Sequence, residues 1–417
     1  MINYKKSLTI LKKNIIKLKS ENIYSQNSFN RICAKKIHSP NNHPAANNSA
    51  FDGYAINSKE TIGLSKKKIR KFKIIKTIAA GDNPAIKKIL KFSTIEVMTG
   101  AIIKKPFDTV IPIEKINFFP NKKNPKFIII DKKINKNNYI RFRGSDYKKN
   151  EIVINKDQII KPSHILAFKT LGIEKVLVKK KPKIVFYATG NEITNKIKIP
   201  DWKVRNSNSH FLKSFLNIFP IDFFEKKILK DNNEIKFKKE INKILNSNID
   251  LIITSGAVSA GKFDFVPKVV KQFKLKSYFK NVAIRPGKPI MFARFNKNKA
   301  FFGLPGNPIS SAACFRFFVM PYLNFSQGLP SERFLQAKLK NNFIKKKKFT
   351  RFIKGEIKYL NKGVPQFNIL KGQESYKINS FTNSNAWGLF PSGKANFKKG
   401  NYIKCFINFL EYRHNKD

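Results

Sequence analysis

Apolar residues switch between two periods along the middle of the chain. The run Lys-Ile-Val-Phe-Tyr-Ala-Thr-Gly over 183–190 is apolar until it breaks at Thr189-Gly190, as a buried strand meeting a turn does. Asn208 then precedes Phe211, Leu212, Phe215, Leu216 and Phe219, whose three- and four-residue spacing predicts an amphipathic helix capped by Asn208. The alternation repeats with a strand in 221–229, a helix in 233–245 and a strand in 249–256. Residues 300–308 then lead into a long apolar helix from Ile309. Such repetition predicts a parallel sheet covered on both faces, and ligands of such sheets bind beyond the carboxyl ends of the strands.

The flanks have a different texture. Leu8, Leu11, Ile15 and Leu18 recur at helical spacing and predict an N-terminal amphipathic helix. Residues 43–146 mix short strands with turns, and 328–417 are short β segments broken by Gly, Pro and Asn, which predicts a small barrel or sandwich. The Lys/Asn-rich stretches 114–140 and 340–350 are expected to be solvated loops or hairpin ends. A length of 417 residues exceeds one compact core, so two to four domains are expected. No run of about 18 uncharged apolar residues is present, so no membrane span is expected. The first residues lack the long apolar region and small-residue cleavage site of a secretory signal. Cys33, Cys314 and Cys405 lie far apart, with no Cys-x-x-Cys and no nearby His, and are expected to be reduced thiols of a cytoplasmic protein.

Charge changes this picture less than its size suggests. The net charge of +58 points first to nucleic acid. The lysines are spread along the whole chain, beside abundant Asn, Ile and Phe, and no RNA- or DNA-binding signature accompanies them. Nonspecific polyanion binding at low salt is expected as a side effect, because phosphate neutralisation needs only Lys.

The polar residues that carry chemistry sit where the strands should end. Thr189-Gly190-Asn191-Glu192 offers turn N–H groups and one carboxylate. Thr254-Ser-Gly-Ala-Val-Ser-Ala-Gly-Lys-Phe-Asp264 combines Gly256 and Gly261 with the hydroxyls of Ser255 and Ser259, the composition of a loop that cradles an anion. Asp264 itself repels phosphate and suggests a Mg²⁺ partner or an acceptor for a base or pterin. Arg285-Pro-Gly-Lys288-Pro289 places two cations on a turn stiffened by proline. Gly303-Leu-Pro305-Gly-Asn-Pro308-Ile-Ser310 should end a strand and open a helix whose N-terminus suits phosphate or an oxyanion. Together these segments predict an enzyme acting on a phosphorylated or oxyanionic small molecule.

The strings around Ser255–Asp264, Arg285–Pro289 and 303–308 resemble the molybdopterin-binding domain of molybdenum cofactor biosynthesis proteins. That domain also occurs in pterin adenylyltransferases and in competence-damage-like proteins. The N-terminal half narrows the resemblance to the molybdenum insertase (molybdopterin molybdenumtransferase) family. Asn48-Ser-Ala-Phe-Asp52-Gly-Tyr-Ala55 resembles the insertase signature, Met98-Thr99-Gly-Ala101 through Asp108, Val110 and Glu114 the next block, and Arg141-Phe-Arg-Gly-Ser-Asp146 an Arg-rich block.

The resemblance implies a multidomain α/β protein in four parts. They are an elongated helical piece from 1–42 and 147–178, a β-rich region 43–146, a doubly wound molybdopterin-binding α/β domain 179–327, and a β-barrel-like domain 328–417. It implies a cytoplasmic homodimeric transferase that places molybdate on the dithiolene of adenylated molybdopterin and releases AMP. Each cleft would be shared between subunits, with Asp52, Thr99 and Asp146 of one chain facing Glu192, Asp231, Asp264, Arg285, Lys288, Pro305 and Pro308 of the other. Lys288, Arg285, Ser310, Lys354 and Ser375 would hold molybdate, with Pro289, Ser255, Gly256 and Ser259 lining the substrate site. Glu192 and Asp264 would carry Mg²⁺. Asn191, Asn206 and Asn47 stand where the family usually has Asp, Ala257 where it has Gly, and Lys354 where it has Arg. Two other functions stay open on the residues alone: a pterin adenylyltransferase, and a non-catalytic pterin- or polyanion-binding paralogue.

Overall fold

The computed structural model describes residues 1–230, 234–256, 266–273, 275–295, 298–359 and 363–408. Its middle sheet runs, in spatial order, Asp222–Glu225, Lys183–Ala188, Leu251–Ser255, Lys299–Leu304, Met291–Phe295 and Leu275–Phe279. The first four strands are parallel and Met291–Phe295 runs antiparallel to both its neighbours, so the sheet is mixed where the alternation predicts a parallel one. Only residues 296–298 separate Met291–Phe295 from Lys299–Leu304, too few for the crossover a parallel pair needs.

Both faces of this sheet are covered, as the near-continuous apolar strands require. Helix Ser207–Leu216 buries Leu212, Phe215 and Leu216 on one side, together with the long helical segment after Pro308. Helix Glu234–Leu245 buries Phe237, Ile241 and Ile244 on the other. Removing each such side chain from water is worth about 1.5–3 kcal/mol. The cap of the first helix is Asn206, whose side chain accepts from the Ser209 N–H, and not Asn208. A cap must reach an N–H two or three residues ahead, and this places the helix start one residue after Asn206.

The long apolar helix starts at Pro308, runs to Cys314, passes through a π turn at Phe315–Val319 and continues as Met320–Ser326. Pro321 has no N–H to give the Phe317 carbonyl, and the Tyr4 hydroxyl donates to that carbonyl at 3.3 Å instead. Tyr4 belongs to the N-terminal helix Tyr4–Lys13, which ends where the Asn14 side chain donates to the Ile10 carbonyl at 2.7 Å. Ile15 and Leu18 therefore lie beyond that helix, and the core residue there is Ile16.

Helical structure in 1–42 and 147–178 is confined to Tyr4–Lys13, the short turn Ser25–Asn27 and Pro162–Thr170. The alternating Val176 and Val178 form a strand, Lys175–Lys179, that pairs with Ser20–Tyr24, and Ile152–Ile154 pairs with Ile37–His38. Residues 43–146 contain a six-stranded sheet in the order Thr109–Pro112, Gly53–Ile56, Ser93–Val97, Arg70–Ile78, Phe127–Ile130, Asn117–Phe119. The last two strands pair antiparallel inside the Lys/Asn-rich stretch, so residues 120–126 between them form the expected hairpin end while Ile128 and Ile130 are buried in the core. At the C-terminal end, Thr350–Tyr359, Pro365–Ile369, Leu335–Leu339, Tyr402–Ile407 and Ala386–Phe390 pair in turn, and the last closes back onto the first. This is a five-stranded barrel, and Ile284–Arg285 of the middle region adds to its Thr350–Tyr359 strand.

Among the described residues, no helix is long and apolar enough to cross a membrane.

Candidate functional site

Three strand ends of the middle sheet meet in a tight stack. Thr189 donates its N–H and its hydroxyl to the Ser255 carbonyl at 2.9 and 3.1 Å, and the Gly256 N–H donates to the Leu304 carbonyl at 3.0 Å. Gly256 has φ +98°, and a Cβ there would lie 2.5 Å from the Thr189 carbonyl oxygen, so only glycine lets the two ends approach. Ser255 is nearly buried; its hydroxyl donates to the Pro305 carbonyl at 3.2 Å and accepts from the Asn208 side chain at 2.6 Å. Asn208 also donates to the Gly306 carbonyl at 2.8 Å.

Asn208 is a residue the sequence reading misplaces. Two asparagines flank Ser207, and which of them caps the helix depends on the backbone path. With Asn206 as cap, Asn208 points from the first helical turn into the strand ends and ties all three segments together. Asn206 is turned the other way: its amide donates to Glu225 at 3.0 Å and to Asn195 at 3.1 Å. An aspartate could cap the helix equally well but could make neither donation. Asn47 likewise fills a structural place, accepting from the Arg143 N–H at 2.9 Å.

Glu192 stands exposed at the rim of this crevice, its carboxylate folded over Gly190; its backbone carbonyl accepts from the Val204 N–H at 2.9 Å, and its carboxylate accepts no hydrogen bond among the described residues. Asp231, Ser259 and Asp264, the other candidates on this edge, lie outside the described residues. Among the described residues, no group of three or more His, Cys, Asp or Glu side chains is placed to hold a metal ion.

The cationic turn is pinned from below. Cys314 donates its thiol to the Gly287 carbonyl at 3.3 Å, and Gly287, at φ +93°, leaves the room that this contact needs. Arg285 and Lys288 stay exposed, and the Arg285 guanidinium lies 4.8 Å over the Phe349 ring. Pro305 and Ser310 are buried, and Pro308 opens the helix as expected, with Asn307 as its cap. Cys314, a buried free thiol, is thus also the support of this turn.

Lys354 takes an unexpected posture. Its side chain is 1% exposed and its ammonium donates to the Lys377 carbonyl at 2.9 Å and the Glu374 carbonyl at 3.2 Å. Burial pulls its pKa down, partly opposed by Glu374. Two of its three donors therefore fasten the loop that carries Ser375, which is itself partly exposed.

Asp52 and Thr99 form a second group. One carboxylate oxygen of Asp52 accepts from the Thr99 N–H at 2.6 Å and from its hydroxyl at 2.8 Å. These bonds, the backbone one foremost, hold the exposed Asp52 carboxyl below the ordinary carboxylate range. Asp146, exposed, is placed by its N–H donating to the His43 carbonyl at 3.0 Å. Among the described residues, no hydrogen bond or ion pair joins Asp52, Thr99 or Asp146 to the Ser255 or Arg285 groups. A cavity of about 510 Å³ lies elsewhere, between the N-terminal helix, the π turn and the barrel, lined by Tyr4, Phe317, Phe334 and Phe406 among others.

Comparison with known proteins covers almost the whole chain. Residues 2–172 match the family described as MoeA N-terminal region (domain I and II), and residues 186–324 match the family described as probable molybdopterin binding domain. A molybdopterin molybdenumtransferase of Staphylococcus epidermidis is 31% identical, over 97% of this chain and 95% of that protein. One from Staphylococcus aureus is 30% identical over 92% of this chain and 90% of its own length. A crystal structure of a molybdopterin biosynthesis MoeA protein from Pyrococcus horikoshii OT3 superposes with a TM-score of 0.80 at 26% identity, covering 98% of this chain and 100% of that one. Another from the same species gives a TM-score of 0.83 at 23% identity, covering 98% and 99%.

Proposed function

The chain belongs to the molybdopterin molybdenumtransferase family, and on that premise we infer that it is a transferase that inserts molybdenum into molybdopterin. The observation that carries the reading is the likeness to named molybdenumtransferases along nearly the full length of both proteins. A shared middle domain alone would fit several activities. The β-rich half with Asp52 and Thr99 is what an adenylyltransferase built on that domain would not need.

In finer terms, the substrates are adenylated molybdopterin and molybdate, and the products are the molybdenum cofactor and AMP. The exposed Arg285 and Lys288, on a turn held rigid by Cys314, suit a tetrahedral dianion, with hydroxyl donation from Ser310. Lys354, buried and bonded to the Glu374 and Lys377 carbonyls, orients the Ser375 loop. The strand-end stack of Thr189, Ser255, Gly256 and Pro305 gives the pterin a preformed floor, which lowers the ordering cost of binding. The sulfurs belong to the substrate, so the protein supplies position and charge.

Mg²⁺ fits the carboxylate chemistry of this rim. It takes hard oxygen donors, commonly one or two carboxylates beside waters and substrate phosphates. The Glu192 carboxylate, with no hydrogen-bond partner among the described residues, is one such donor, and Asp264 is the proposed second. When bound, the ion would screen the charge of the substrate's phosphates.

We place the cleft between two subunits of a homodimer, Asp52, Thr99 and Asp146 of one chain facing Glu192, Asp231, Asp264 and the Arg285 turn of its partner. Within one chain, among the described residues, no hydrogen bond or ion pair joins the two groups, which agrees with this. We keep the four-part division, 1–42 with 147–178, 43–146, 179–327 and 328–417, because four smaller cores each lie within one part, while the largest core joins Leu11 and Ile16, the middle sheet, and Phe352 and Trp387 of the barrel. The three buried free cysteines suit a reducing, cytoplasmic setting. Polyanion binding at low salt follows from the charge alone.

The deciding experiment is AMP release from adenylated molybdopterin by the purified protein, with and without molybdate. Release that requires molybdate supports the reading. Binding of the pterin without any release of AMP sinks it, and ATP consumption with free molybdopterin would favour the adenylyltransferase.

A further inference from the structure

Arg285 and Arg351 occupy paired positions of two neighbouring parallel strands, so their side chains leave the sheet on the same side. Ile353, two residues further on, lies in the barrel core, which puts Arg351 on the same interior face, at the barrel's mouth. Lys345 joins them there. It is 6% exposed, its ammonium donates to the Phe349 carbonyl at 2.8 Å, and it lies 5.8 Å from the Phe397 ring centre. The Arg285 guanidinium stacks over Phe349 on the same rim.

These three cations sit in one another's field. Burial first and Arg285 second depress the pKa of Arg351; burial first and Arg351 second depress that of Lys345. Among the described residues, no carboxylate forms an ion pair with any of the three. The Nε of Arg351 is buried without an acceptor. A half-buried guanidinium beside two like charges, with donors unspent, is an arrangement that an unliganded fold penalises. A bound anion removes the penalty, and two guanidinium forks match a tetrahedral oxyanion.

We propose that the mouth of the C-terminal barrel is an oxyanion site in its own right, where Arg285 and Arg351, assisted by Lys345, bind a tetrahedral dianion of the phosphate or molybdate type. The ion is either free or the terminal phosphate of a nucleotide. The site does not depend on the reaction proposed above, although Arg285 belongs to both, standing between the mouth and the turn that carries Lys288.

The test is thermal unfolding and calorimetric titration of the full chain at constant ionic strength in chloride, with inorganic phosphate, molybdate and AMP as separate probes. Arg351→Gln is compared with the wild type and with Lys122→Gln, a change on an exposed loop. The wild type should bind one more anion equivalent than Arg351→Gln, or bind it roughly tenfold or more tightly. Without added oxyanion, Arg351→Gln should melt higher than the wild type, because it relieves like-charge repulsion, and its melting point should respond less to each effective probe. Arg351→Lys, which keeps the charge and loses the fork, should fall between. Lys288→Gln should keep the Arg351-dependent component. A response to phosphate or molybdate identifies a free ion as the ligand; a response to AMP alone identifies a nucleotide phosphate. The proposal is overturned if titrations of Arg351→Gln and Lys122→Gln coincide, or if Arg351→Gln melts lower with its anion response intact. Neither result bears on AMP release, so the two readings fail separately.

Discussion

The Asn208 side chain donates to the Ser255 hydroxyl at 2.6 Å, joining the first turn of a helix to the end of a central strand. The same amide reaches the Gly306 carbonyl, so one residue fastens three segments at the edge of the candidate crevice. Asn208→Ala should lower stability by about 1–3 kcal/mol, two hydrogen bonds' worth, and reduce pterin affinity. Asn208→Asp should be worse for binding, because a carboxylate would face the Gly306 carbonyl. Denaturant melts and pterin titrations check both; unchanged pterin affinity in both variants would remove Asn208 from the site.

Gly256→Ala tests the closeness of the strand ends. The added methyl would meet the Thr189 carbonyl oxygen at 2.5 Å in a backbone region that L residues rarely adopt. A loss of more than about 2 kcal/mol is expected, with turnover falling even where the protein still folds. A melting point within a degree or so of wild type would contradict the geometry.

Asp52 should titrate unusually low. Its folded-state pKa is depressed, so its pairing with Thr99 is fully present above the ordinary carboxylate pKa and is lost only as pH falls through the lowered value. Thr99→Val keeps the N–H bond and removes the hydroxyl, so the Asp52 pKa should rise part of the way back. Carbon-13 titration of labelled aspartate carboxyls reads both values.

Subunit mixing separates a shared cleft from a private one. Asp52→Ala and Lys288→Ala homodimers should each be nearly inactive. If clefts form across the dimer, co-refolded mixtures should recover about a quarter of wild-type AMP release, since random pairing makes half the dimers mixed and each holds one intact cleft. No recovery would place the cleft within one chain.

The buried thiols should resist alkylation. Burial pushes Cys405 up to about 12, and raises Cys314 and Cys33 as well, so little reactive thiolate forms near neutral pH. A thiol reagent at pH 8 should modify native protein slowly and all three cysteines quickly in denaturant. Rapid native labelling of Cys314 would mean that the turn at Gly287 opens.

Much of the architecture is legible in the order of residues because it rests on local rules. The strand 183–188 and the helices after Asn206 and Asn307 follow from apolar period and from breaks at Gly and Pro. Residue pattern alone leaves the C-terminal part as a barrel or a sandwich, because which strand closes onto which is a matter of long-range pairing. The N-terminal helix stops at Lys13, short of the apolar pattern, because the Asn14 side chain satisfies the Ile10 carbonyl and turns the chain. Periodicity cannot see such a cap.

The sequence by itself determined the family, the α/β alternation and most of the polar residues at the strand ends, since these depend on residue type and spacing along one stretch of chain. Tertiary structure alone decided that Asn208 and not Asn206 faces the crevice, that Cys314 supports the Gly287 turn, and that the Lys354 ammonium is turned into the Glu374–Lys377 carbonyls. It also brought Arg351 beside Arg285, from strands far apart in the chain. Hydrogen bonds and like-charge contacts of that kind act through space over a few ångströms, and linear spacing carries no record of them.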